Sequence, residues 1–155
     1  EKERLSPSGY RRRTWVTRQG IHVDRIASAW LIGGFIDPKA RFKFVPGKSY
    51  EPRRGELRFD MFEGEFTHEG DLCTFEVLLQ RFLPGDPALR RLADSVHDLD
   101  VKDGKFGRPE AVGVNAVLRG LEARIADDQK LIREAGAVFD GLYATLAGGP
   151  ARAGA

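Results

Sequence analysis

The sequence has very few of the residues that build disulfides and common zinc motifs. Of its 155 residues, one is cysteine, one is methionine and three are histidine, so neither an internal disulfide nor a cysteine-based zinc ribbon can form. The longest apolar stretch, residues 26–36, is shorter than the ~20 residues that a bilayer-spanning helix needs, and no signal peptide is visible. These absences favour a cytoplasmic protein that makes no membrane contact.

The charge is also low for a protein that binds nucleic acid or anionic lipid. A net charge of +2 gives no strong positive field. With 41% hydrophobic and 31% charged residues, the composition is that of one ordinary globular domain. Residues 1–12 are polar and predict a flexible leader, residues 148–155 predict a flexible tail of small residues, and residues 13–147 form the folded domain.

Three segments with strand character lie in the first half of the chain. Residues 13–17 carry Trp15 and Val16, and residues 41–45 and 56–62 alternate apolar with polar side chains, as half-buried strands do. Between the first two segments, residues 23–36 predict a buried helix. Asp37–Pro38 stops this helix, because proline disfavours a helical residue before it.

Four amphipathic helices are predicted to follow, at residues 75–82, 89–96, 114–121 and 131–142, where apolar residues recur three or four positions apart. Asp71 is the predicted N-cap of the first of these helices, and Asp86 that of the second. Residues 98–108 predict a charged loop. Strands followed by helices indicate an α+β fold: a helix-rich single domain with about five helices packed on a small sheet of short N-terminal strands.

Each of the three histidines has an acidic residue beside it or two positions away. The pairs lie in His22–Asp24, His68–Glu69 and His97–Asp100. Imidazole and carboxylate are the usual ligands of Zn, Fe and Mn, so we predict a site for one of these divalent transition metals. Its expected ligands are His68, His97 and carboxylates from Asp24, Asp98 or Asp100, with His22 as an outer candidate.

A simpler interpretation stays open for each of these residues. The histidines can be three unrelated surface residues, since acidic neighbours are common in so charged a chain. Asp24 lies near the start of a predicted helix and His97 near the end of another, where their charges suit the helix dipole. Cys73 is either a thiol with a lowered pKa at a helix N-terminus or a small buried hydrophobic residue.

Arginine supplies the candidate anion contacts. Arg25 begins the most apolar predicted helix, and a buried guanidinium without a partner is costly. It is therefore expected to face a carboxylate or a bound anion. Arg25 and Arg18 are the predicted oxyanion contacts, since guanidinium matches oxyanion geometry.

Several segments taken together resemble the ChrB-type chromate-resistance family. The most specific is Val23–Ile32, flanked by Trp15–Arg18, Phe35–Pro38 and Ala40–Phe42; His68–Phe75, His97–Asp100 and Phe139–Tyr143 are similar too. The resemblance covers roughly Arg13 to Leu146. In that family the domain commonly follows a winged-helix-like DNA-binding part or is fused to a rhodanese domain. Neither is visible in these 155 residues, so we expect no sequence-specific nucleic-acid binding by this chain alone.

The resemblance implies a role in chromate or other oxyanion and metal stress. Together with the histidine and arginine pattern, it predicts a cytoplasmic domain that binds a metal or an oxyanion, with chromate or a related oxyanion as its ligand. Two alternatives remain open: a metal-dependent enzyme in which metal-bound water is the nucleophile, and a protein-interaction module of a regulator. A homodimer is left open as well.

Overall fold

A small parallel sheet lies against five helices. The computed structural model describes residues 3–20 and 22–148, so the predicted tail beyond Gly148 lies outside the described residues. The strands are β1 (Thr14–Arg18), β2 (Arg41–Val45) and β3 (Leu57–Arg58), and the helices are α1 (Val23–Leu31), α2 (Thr74–Phe82), α3 (Pro87–Val101), α4 (Glu110–Arg124) and α5 (Asp128–Leu146). This arrangement confirms the predicted helix-rich α+β class.

The sheet has the strand order β2-β1-β3, and both pairings are parallel. Parallel neighbours need a crossover connection, and α1 provides it between β1 and β2. The third strand is shorter than the predicted segment 56–62. Phe59 forms only an isolated bridge with Phe66, and the chain turns at Asp60, whose φ is +49°.

Helix α1 and a π-helical turn, Ile32–Ile36, together occupy the segment predicted as one buried helix. Ile26, Leu31 and Ile36 are fully buried against Trp15 and the apolar faces of the later helices. Asp37 ends the segment, as predicted. Its buried carboxylate also accepts hydrogen bonds from the backbone of Arg12 and Arg13 and from the Trp15 indole, which fixes the start of β1.

The described part of the predicted leader packs on the domain. Residues Pro7–Tyr10 form a 3₁₀ turn, and the Tyr10 ring lies edge-on to Phe82 with centroids 5.1 Å apart. The Leu5 amide donates to the Arg81 carbonyl at 2.8 Å. Leu5 and Tyr10 are apolar residues within a polar segment. Burial of their side chains favours the packing of this segment against α2.

The parallel arrangement places the carboxyl ends of all three strands at one edge of the sheet. Beyond this edge lie the start of α1 after β1, the Pro46–Tyr50 segment after β2 and the Asp60–Glu63 segment after β3. In open parallel sheets this edge is where ligands usually bind. Within the described residues, no helix is long and apolar enough to cross a bilayer.

Candidate metal centre

Three side chains from distant parts of the chain converge beyond the carboxyl edge of the sheet. Asp24, His68 and Asp100 each offer one ligand atom, and these atoms all lie within 4.8 Å of one another. The Nε2 atom of His68 is 3.0 Å from Oδ2 of Asp24 and 3.3 Å from Oδ2 of Asp100. Two nitrogen or oxygen ligands ~2.1 Å from one metal lie at most roughly 4 Å apart. The three atoms are therefore close to the spacing that one ion requires.

Asp24 is fixed in place by helix α2. It lies in the first turn of α1, and its buried carboxylate accepts the backbone N–H groups of Thr74 and Phe75, each at 2.9 Å. The simpler interpretation of Asp24, beside its predicted role as a metal ligand, was that its charge serves the dipole of its own helix. In the structure its charge also meets the N-terminus of α2, where unpaired N–H groups and the helix dipole both favour an anion.

The predicted N-cap of α2 was wrong by two residues. Helix α2 begins at Thr74, and its N-cap is Cys73 rather than Asp71. Glu76 completes the cap by accepting the Cys73 backbone N–H at 3.0 Å. The Cys73 side chain is fully buried, and burial raises the pKa of its thiol. Of the two interpretations of Cys73, the structure favours the small buried residue.

His68 lies at the mouth of the cluster, and its side chain is 46% exposed. The hydrogen bond to Asp24 is the largest influence on its titration and raises the pKa of His68 to about 9. The imidazole is therefore protonated at neutral pH in the absence of a metal. A metal ion must displace this proton before it can bind Nε2.

Asp60 belongs to the same cluster, although it was not among the predicted ligands. Its Oδ1 lies 3.6 Å from Nε2 of His68 and accepts the Thr74 hydroxyl at 2.9 Å. Burial, followed by the nearby charge of Asp24, raises the pKa of Asp60 to about 6. In the sequence, Asp60 lies between Phe59 and Met61. A polar residue between two apolar ones is also what an ordinary half-buried strand shows, so this pattern did not indicate a ligand.

Arg25 was expected to face either a carboxylate or a bound anion, and it faces a carboxylate. Its Nε donates to Oδ2 of Asp60 at 3.0 Å, and a second nitrogen donates to the Asp60 carbonyl at 2.9 Å. A third contact reaches the Gly20 carbonyl at 3.2 Å. These contacts occupy the guanidinium. Arg25 therefore positions Asp60 and stabilises the segment that carries it.

Asp100 and Asp98 lie in the same helix end but have different roles. Helix α3 runs to Val101, so both residues are helical rather than part of the predicted loop. Asp100 points into the cluster, where burial and the charge of Asp24 raise its pKa. Asp98 instead accepts the backbone N–H groups of Phe106 and Arg108, at 3.0 and 3.1 Å, and so orders the following loop.

His97 is buried away from this group of ligand atoms. Its Nδ1 lies 2.6 Å from Glu76, and its Nε2 lies 3.0 Å from Asp103. Burial lowers the pKa of His97, but the hydrogen bonds to Asp103 and Glu76 outweigh burial and raise it. The structural alternative for His97 was an interaction with the dipole at the end of its helix. Both ring nitrogens in fact join α2, α3 and the loop after α3.

The two remaining candidates, His22 and Arg18, lie outside the cluster. The side chain of His22 is 79% exposed and contacts Glu122 of α4 at 3.0 Å. Arg18 ends β1 and lines a separate groove with Lys48 and Phe62. The structure therefore brings together Asp24, His68 and Asp100 and separates them from His22, His97, Asp98 and Arg18.

The cluster suits a cation better than an anion. Three carboxylates surround one imidazole, and the arginine beside them is already paired with Asp60. Oxygen and nitrogen donors of this kind match Zn, Mn and Fe. The hydrogen bonds that orient Asp24 and Asp60 are of the type that surrounds ligands in metal sites.

Comparisons with known proteins support one family. The family model described as "ChrB, C-terminal domain" matches residues 15–146. The chain is 45% identical over 141 residues to "Protein ChrB" of Cupriavidus metallidurans, an alignment that covers 90% of this chain and 43% of that protein. The chain thus spans less than half the length of this relative. No solved structure matches the chain.

Proposed function

This chain belongs to the ChrB C-terminal domain family, and we propose that it is a metal-binding domain of the response to chromate stress. Family membership implies the connection with chromate resistance. The proposed ligands are Asp24, His68 and Asp100. The observation that carries the proposal is the convergence of their three ligand atoms within 4.8 Å.

The surroundings of the three residues support a divalent transition metal. The backbone amides of α2 hold Asp24, and α3 presents Asp100 from its last turn. Two of the three ligands are thus carried by helices, which position a site more accurately than loops do. His68 comes from the connection before α2, so it is the ligand most free to adjust when an ion binds.

Chromate itself is a poor ligand for this cluster. The oxyanion would meet the carboxylates of Asp24, Asp60 and Asp100, and like charges at such distances repel. The guanidinium of Arg25 is occupied by Asp60. We therefore propose that the cluster holds a cation, and that any contact with an oxyanion is made through the bound metal or elsewhere on the domain.

Elemental analysis of the purified chain after incubation with Zn or Mn tests this proposal. We expect a metal-to-chain ratio of about one for the parent protein and a loss of metal in His68→Ala and in Asp100→Asn. His22→Ala is the matched control, because His22 is an exposed histidine that contacts a carboxylate of another helix. Absence of metal from the parent, or full metal content in His68→Ala, would contradict the proposal.

A metal-dependent hydrolytic enzyme is the second candidate, favoured by the position of Asp60. A metal held by Asp24, His68 and Asp100 could activate a water molecule for hydrolysis. Asp60 is a third carboxylate, 3.6 Å from the His68 ligand atom, and it could accept a proton there. Turnover of an ester or phosphoester that disappears in Asp60→Asn, with metal content unchanged, would favour this candidate over a sensor.

A further inference from the structure

A groove distinct from the acidic cluster lies beyond the carboxyl ends of all three strands. Arg18 is the last residue of β1, Lys48 follows β2, and Met61 and Phe62 follow β3. The volume of the groove is about 580 Å³, within the range of small-molecule sites. Its position matches the general rule for ligands of open parallel sheets.

Part of the groove lining is apolar, formed by Tyr50, Met61 and Phe62. Val16, Val45 and Met61 form a small buried cluster on this side of the sheet, and Tyr50 packs against it. The Tyr50 hydroxyl contacts Glu56 and Lys43, which fixes the ring. Phe62 completes this lining but is 81% exposed. Phe62 does not stand alone but continues an apolar surface with Met61 and Tyr50, and contiguous apolar surface of this kind marks binding sites.

The rim of the groove carries positive charge that is only partly neutralised. Among the described residues, Arg18 and Lys48 have no ion pair, whereas Arg58 contacts Glu65 at 3.4 Å. Glu63 contributes one opposing carboxylate to the lining. Two unpaired cations therefore remain next to an aromatic wall.

Arg18 lies directly over Gly47. A Cβ atom built at residue 47 would stand 2.6 Å from Cδ of Arg18 and within 2.8 Å of Cζ. The small residue at position 47 thus gives the arginine side chain the space to lie along the groove. The backbone at Gly47 is not in the left-handed region, so the close approach of Arg18, and not backbone conformation, is the constraint at this position.

We propose that this groove binds a small amphipathic anion: a carboxylate or phosphate group attached to an aromatic body. Arg18 and Lys48 would take the anionic group, since guanidinium and ammonium are the usual partners of such oxygens. Phe62 and Tyr50 would cover the aromatic body. The low net charge of the chain, +2, does not favour a nucleic acid, which needs many phosphate contacts.

Fluorescence titration with 8-anilinonaphthalene-1-sulfonate, an aromatic anion, tests the site. We expect saturable binding that weakens about tenfold in Phe62→Ser and in Lys48→Glu. Val112→Ser and Lys130→Glu are the matched controls, because Val112 is 77% exposed on α4 and Lys130 is exposed on α5. The uncharged analogue N-phenyl-1-naphthylamine should bind much more weakly. Equal binding of the two probes, or equal losses in the controls, would overturn the proposal.

Gly47→Ala gives a second test that leaves every charge and aromatic ring in place. The added methyl must displace the Arg18 side chain, which is flexible and exposed, so the melting temperature should change little. Probe binding should nevertheless fall about as much as in Arg18→Gln. If neither variant weakens probe binding, Arg18 does not contact the anionic group, and the proposed recognition of that group is wrong.

Competition distinguishes the two anionic groups and the inorganic oxyanion. Phenyl phosphate and phenylacetate should each displace the probe, and the stronger competitor identifies the preferred head group. Chromate at the same concentration should displace it less, because it has no aromatic body. If chromate competes equally well, the groove is a plain oxyanion site and the proposed ligand class is wrong. Binding should persist in His68→Ala, which separates this groove from the proposed metal centre.

Discussion

Asp24 and His68 are 44 positions apart in the chain, yet Oδ2 of Asp24 lies 3.0 Å from Nε2 of His68. The same oxygen accepts the Thr74 backbone N–H. One carboxylate oxygen therefore joins the start of α1, the start of α2 and the connection that carries His68. The fold and the proposed metal centre depend on the same side chain, so their energetic contributions must be separated by mutation.

Replacing Asp24 should destabilise the fold more than replacing His68. Asp24→Ala leaves the buried N–H groups of Thr74 and Phe75 without acceptors, and each unsatisfied group costs about 1–3 kcal/mol. For the two groups together, we expect the free energy of unfolding to fall by about 2–6 kcal/mol. His68→Ala removes a half-exposed side chain and should cost less than about 1 kcal/mol. Urea unfolding of the metal-free proteins measures both, and equal losses would contradict the anchoring role of Asp24.

Asp37 should make the fold sensitive to acid. Burial opposes its charge, but hydrogen bonds from Arg13, Trp15 and Arg12 outweigh burial and hold the pKa of Asp37 below 3.8. A lowered pKa in the folded state contributes stability that is present above pH 3.8 and is lost as the pH falls through the folded value. Asp37→Asn should be less stable than the parent at neutral pH, and this difference should shrink on acidification. A difference that does not change between neutral and acidic pH would refute the assignment.

His97 should have the opposite pH dependence. Its pKa is raised above 6.5 in the folded state by Asp103 and Glu76, against the effect of burial. This contribution to stability is fully present below pH 6.5 and is lost as the pH rises through the folded value. In urea unfolding of metal-free protein at a series of pH values, the stability advantage of the parent over His97→Gln should therefore decrease with rising pH. An advantage that grows with pH would show that His97 is held neutral.

The local patterns of the sequence account for most of the elements. Strand β2 follows the alternation from Arg41 to Val45, and the N-cap of α3 is the predicted Asp86, whose side chain accepts the Leu89 backbone N–H. These features depend on residues within a few positions of one another. Helix α3 runs past its predicted end although carboxylates are unfavourable at a helix C-terminus. Contacts with distant residues compensate the two charges: Asp98 accepts backbone N–H groups of the following loop, and Asp100 faces His68.

The membership of the acidic cluster depended on contacts that no local pattern encodes. His97 and His68 both have acidic neighbours, yet one is buried in a structural network and the other lies at the mouth of the cluster. The difference arises from the packing of α3 on α2, which turns His97 towards Glu76. Asp60 joined the cluster because the chain turns just beyond a very short strand. Neither packing nor the length of β3 could be deduced from spacing alone.

This chain should not recognise a specific DNA sequence. Its net charge is +2, and the backbone N–H groups of Arg12 and Arg13 are tied to Asp37, which holds these arginines in a turn and not on a helix that could enter a groove. Phosphate contacts from Arg11, Arg12 and Arg13 would give weak binding that falls steeply with salt, because such affinity comes from the release of counterions. A salt titration against a natural duplex and its scrambled version measures this. Tight binding that persists at ~200 mM salt and distinguishes the two sequences would show that base contacts exist and would restore DNA recognition as a function of this domain.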